Sequence, residues 1–157
     1  KQVYKASVIR GLRFIDDEFF VEDEFYNLQV AKIAQKFVYI PENLYFYRNV
    51  PTSLTNQDKF LIKLMNGRRK CYELCLEFPL EQQLTILSAF IEVAILVLKT
   101  GHHVIGLKKY QDECQMAYKV GMLRGKTYRR FLSYCHFPTL MMLVFRGRKF
   151  LRKIKGK

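Results

Sequence analysis

The sequence predicts an α+β chain that is mostly helical. Three observations lead there. Two short aromatic runs near the front have strand character, an acidic triplet opens an amphipathic stretch before them, and nearly everything after residue 55 repeats its apolar residues at helical spacing. Half of the 157 residues are hydrophobic, enough to build a core, and the length fits one or two small units of about 100–200 residues each.

In order along the chain, Asp16-Asp17-Glu18 reads as a polar turn and Phe19-Phe20-Val21 as a short apolar run. Glu22-Asp23-Glu24 then starts a helix, where acids meet the positive end of the helix dipole and the free backbone N–H groups. Phe25, Leu28, Ala31, Ile33 and Ala34 give that helix an apolar face. Phe37 to Ile40 reads as a strand, Pro41-Glu42-Asn43 as a turn and Leu44 to Tyr47 as a second strand.

Helices are expected over Asn56–Phe78, with Phe60, Leu61, Leu64, Met65, Tyr72 and Leu76 as its stripe and a kink at Gly67, and over Leu80–Thr100 between Pro79 and Gly101. Further helices are expected over Lys108–Met122 and Thr127–Cys135. The second of these four is apolar almost all round. Glu92 interrupts it and its apolar part falls short of the ~20 residues of a membrane span, so it is expected inside a helical bundle.

The four cysteines give no disulfide or zinc spacing and are expected as reduced thiols. His102-His103 follows a helix-ending glycine and reads as a loop pair, and no metal ligand set is expected in this chain. Charge is polarised. Twelve of the 27 Lys and Arg, and none of the 14 acids, lie after Glu113. Such a block calls for an anionic partner or abundant solvent. Three readings stay open: a nucleic-acid-binding tail, a solvated end, and a membrane-surface anchor. Nucleic acid is the least favoured, because no base-reading motif accompanies the charge. The arrangement of apolar residues 137–145 before a basic segment that includes Phe150, Leu151 and Ile154 favours peripheral membrane contact through residues 137–157.

The order Gly11-Leu12-Arg13-Phe14, Glu22-Asp23-Glu24, helix, Leu44-Tyr45-Phe46-Tyr47-Arg48, Ser53 resembles the acceptor-side half of a family 2 glycosyltransferase. That is an inverting enzyme of the GT-A type, found in bacterial surface-polysaccharide synthesis. The resemblance covers about a third of the chain and implies the following. Residues 1–55 are the end of a GT-A α/β domain, comprising two short strands and a helix, and residues 56–157 are an all-helical appendage with a basic tail. Asp23 is the catalytic base with Glu22 beside it, touching the acceptor, and Arg48, Tyr47 and Ser53 contact substrate. Val50 stands where related sequences often carry a second basic residue, which weakens a phosphate clamp at Arg48. The substrates are a nucleotide-sugar donor and a glycan or lipid-linked acceptor, at the cytoplasmic face of the cell membrane. A divalent cofactor, Mg or Mn, is implied, but its D-x-D-like ligands are not in this chain. Residue 1 is accordingly expected to fall within a domain, the piece alone is expected to be inactive, and its sheet remnant is expected to pair with a second copy. The alternative expectation is a non-enzymatic helical module that binds anionic membrane, or nucleic acid, through its basic tail, with Glu22-Asp23 as a helix start only.

Overall fold

The computed structural model describes residues 3–14, 21–38, 41 and 58–155, with the backbone alone for residues 58, 59, 149 and 151–155. Among the described residues seven α-helices run in order: α1 (Ala6–Ile9), α2 (Glu22–Ile33), α3 (Asp58–Leu74), α4 (Leu80–Lys99), α5 (Gln111–Lys119), α6 (Gly125–His136) and α7 (Pro138–Lys155). The 3₁₀ turns Cys75–Glu77 and Leu107–Tyr110 extend α3 and lead into α5.

Among the described residues there is no strand. This corrects the first predicted strand as far as it can be seen. Phe37 and Val38 are irregular and 70% and 76% exposed, so among the described residues their β-branched and aromatic character has no strand to pack against. Tyr39 and Ile40, and the whole second strand at residues 44–47, lie outside the described residues. The mostly helical fold class is observed.

The bundle is organised around α4, which packs against α3, α5, α6 and α7. Its sequence dictates this position. Leu87, Ile91, Ala94 and Leu98 are fully buried, and Phe90 and Val97 nearly so, which places apolar residues around most of the cylinder. By length and composition α4 could also cross a membrane, a test that the core helix of a bundle passes as well. Here its neighbours cover it. Pro79, which cannot donate a backbone N–H, separates it from α3. Gln83 ties the junction by donating from Nε2 to the carbonyls of Leu76 (3.1 Å) and Phe78 (2.7 Å).

Helix ends follow the local chemistry. At Gly121, φ is +80°, and the amide of Met122 reaches back to the Ala117 carbonyl at 2.9 Å, the glycine-dependent closure of a helix C-terminus. α5 therefore stops at Lys119, short of the Met122 expected from its pattern, and it starts later, because residues 107–110 wind as a 3₁₀ turn. Gly67 lies buried within α3, which continues through it without interruption.

The first two helices attach at the edge of this bundle, where α2 packs on α3. The face that α2 buries is Tyr26 and Val30, four residues apart. Phe25 and Leu28 are only half-buried and Ile33 is half exposed, so the apolar face lies rotated from the one read in the sequence.

Candidate functional site

The acidic triplet opens α2 as expected, with all three acids in the first turn and no side-chain cap from Val21. The three diverge. Glu22 and Asp23 are exposed, and Oδ1 of Asp23 accepts the backbone N–H of Glu24 at 2.7 Å. Glu24 turns inward and pairs with the Arg68 guanidinium of α3. Burial raises the Glu24 carboxyl above its ordinary range, Arg68 pulls it back, and the Asp23 charge adds to the rise. Nε of Arg68 is buried without a hydrogen-bond partner, which leaves one guanidinium donor unmet beside the pair.

The chain before α2 folds over its outer face. Tyr26 is stacked by Phe14 with centroids 4.2 Å apart and planes 10° apart, and met edge-on by Tyr4 at 5.7 Å. The Tyr4 hydroxyl bonds to Oδ1 of Asn27, and Nε2 of Gln29 donates to the Arg13 carbonyl at 3.1 Å. Phe14 remains 61% exposed, so its outer ring face is open to solvent. Asp23 lies close enough for its charge to add, after burial and Tyr26, to the upward shift of the Tyr4 phenol.

Comparison of the chain with known proteins returned no match. No family model matches it, and no curated protein or solved structure matches it significantly. The site is therefore read from its own chemistry. An exposed carboxylate at a helix start can accept a proton from a hydroxyl, and an exposed aromatic face packed on the same helix can seat a sugar ring.

Beneath the triplet, Cys71 and Cys75 are both fully buried, one helical turn apart. Burial first, and the Glu24 charge second, pushes their thiols up to about 12 and about 11. They are thus poor nucleophiles at neutral pH. Among the described residues no group of three or more His, Cys, Asp or Glu could hold a metal. His102 and His103 are exposed after α4, with Nδ1 of His103 3.4 Å from the Tyr134 hydroxyl.

Of the residues singled out in the sequence, Glu22 and Asp23 are placed together at the start of α2. Arg48, Tyr47 and Ser53 lie outside the described residues. Tyr4, Phe14, Tyr26 and Arg68 were missed. The spacing of Tyr26 and Val30 was the one available signal, since an inward Tyr26 calls for partners on the preceding segment.

Proposed function

We propose that this chain carries the acceptor side of an inverting, nucleotide-sugar-dependent glycosyltransferase, with Asp23 as the base. The reading rests on the resemblance of residues 11–53 and on one observation: the acidic triplet divides, so that Glu24 turns inward to Arg68 while Asp23 stays at the surface, its charge reaching Tyr4, which with the exposed Phe14 packs on Tyr26. A sugar acceptor seated on Phe14 would present a hydroxyl to the Asp23 carboxylate. The carboxylate takes the hydroxyl proton, the oxygen attacks the anomeric carbon, and the nucleoside diphosphate departs from the opposite face, which inverts the centre. Glu22 assists by accepting a neighbouring acceptor hydroxyl. Arg48, with Tyr47 and Ser53, would contact the donor. The acceptor is a glycan or a lipid-linked glycan at the cytoplasmic face of a membrane. Among the described residues no group of three or more His, Cys, Asp or Glu could hold the divalent metal of such enzymes.

The test is Asp23→Asn in the protein that carries this chain, followed by sugar transfer from a nucleotide-sugar donor. Asparagine still accepts the Glu24 N–H and is itself a favourable residue at helix starts, so folding is retained. The expected result is a fall in turnover of about 10²–10⁴-fold, the range for a positioned base, with an unchanged melting curve. Unchanged turnover overturns the assignment. A second, non-enzymatic reading is favoured by the Asp23–Glu24 backbone bond, which makes the acids helix-start residues of a binding module. It requires that no activity depend on Asp23.

A further inference from the structure

α7 has two apolar sides, and only one has a partner inside the fold. Met142 and Phe145 are each 3% exposed and belong to the bundle core, and α7 packs on α4 and α6. Away from that contact, Leu140, Leu143 and Phe150 are 59%, 62% and 65% exposed, and Val144 is 37% exposed. At about 100° per residue, these four fall within an arc of about 120° on the helix. Gly147 lies inside that arc with open space above it, and by register so do positions 151 and 154, which are Leu and Ile.

The charges of α7 respect the same arc. Positions 146 and 148 border it on either side, and both arginines are exposed. Positions 149, 152, 153 and 155, all Lys or Arg, also fall outside it by register. No acid lies anywhere after Glu113 to neutralise them.

We propose that this outer face of α7 docks in the plane of an anionic lipid surface. Leu140, Leu143, Val144 and Phe150 would enter the boundary between headgroups and acyl chains. Arg146 and Arg148 would lie at headgroup level, their stems along the apolar stripe and their guanidinium groups on lipid phosphates. Charge selects the partner: a net +13 chain whose excess is concentrated around this helix is complementary to an anionic leaflet. The apolar arc selects lipid over nucleic acid, because a phosphate backbone offers nothing to exposed leucines and phenylalanine. The docking is independent of any role for Asp23.

The experiment is sedimentation of the full chain with vesicles of phosphatidylcholine alone, and of phosphatidylcholine mixed with phosphatidylglycerol. Binding is expected to the mixed vesicles, at least about tenfold tighter than to the neutral ones, and to weaken with added salt as surface charge is screened. Arg146→Gln with Arg148→Gln is expected to weaken mixed-vesicle binding about thirtyfold, at about 1 kcal/mol for each charge, and to leave neutral-vesicle binding unchanged. Leu140→Ser with Leu143→Ser is expected to weaken it more than about tenfold, with an unchanged far-UV spectrum. Failure to bind mixed vesicles overturns the proposal. So does binding to duplex DNA that survives the double serine change while vesicle binding is absent.

Discussion

Arg68 of α3 closes on the Glu24 carboxylate of α2 across 44 positions of sequence, and this ion pair joins the N-terminal helices to the bundle. Burial raises the Glu24 carboxyl despite its partner, so the cost of desolvating the charge exceeds the attraction. A raised carboxyl contributes stability that is full below its ordinary value of 4.5 and lost as pH rises through the folded value. Relative to the parent chain, Glu24→Gln should therefore gain stability as pH rises from about 4 to about 7. Arg68→Ala leaves a lone half-buried charge and should cost about 1–2 kcal/mol at neutral pH, less than a fully buried pair would. Urea melts at the two pH values check both.

The bundle core and the outer face of α7 should respond oppositely to truncation. Phe131 of α6 is fully buried, and Phe131→Ala should cost about 3–5 kcal/mol. Phe150 is 65% exposed, and Phe150→Ala should stay within about 0.5 kcal/mol of the parent. Denaturant midpoints compared at constant slope measure the contrast.

Two buried tyrosines make a second contrast. The Tyr134 hydroxyl donates to the Val104 carbonyl at 3.2 Å and lies 3.4 Å from the Val104 N–H, which holds the loop after α4 on α6. The Tyr110 hydroxyl is buried without a partner, its ring edge-on to Tyr72 and Phe90. Tyr134→Phe should cost about 1 kcal/mol, whereas Tyr110→Phe should be neutral or stabilising, since it removes an unmet polar group. Thermal melts of the two variants decide it.

Cys71 and Cys75 predict an alkaline weakness. Unfolded thiols ionise near 8.5, but these two hold their protons to about 12 and about 11 in the fold. Above about pH 8.5 the unfolded chain binds fewer protons, so stability falls as pH rises, by about 1.4 kcal/mol per thiol per pH unit. Replacing both with Ala should flatten this slope between about pH 9 and about 11, whatever it does to stability at pH 7.

The helices were legible where punctuation was strong. Pro79 and Gly101 bracket α4, and acids mark the start of α2. The buried face of α2 was legible only in the one-turn spacing of Tyr26 and Val30, because the partners that select it, α3 and the rings of Tyr4 and Phe14, leave no periodic trace of their own. The strand reading of Phe37-Val38 followed side-chain preference, which does not by itself make a strand where, among the described residues, none is there to pair with. The candidate base was named from the sequence. Its setting was not: the inward turn of Glu24 depends on Arg68, a residue that reads as one more surface charge in a basic helix.

Because α4 touches α3, α5, α6 and α7, its backbone amides cannot reach water until those contacts open together. α2 is fastened mainly through α3, and it can lift away while the bundle stays closed. Hydrogen exchange should thus divide the chain in two. The amides of α4 would exchange only on global unfolding, while those of α2 would exchange through a cheaper partial opening, a motion that would also expose the carboxylates at its start.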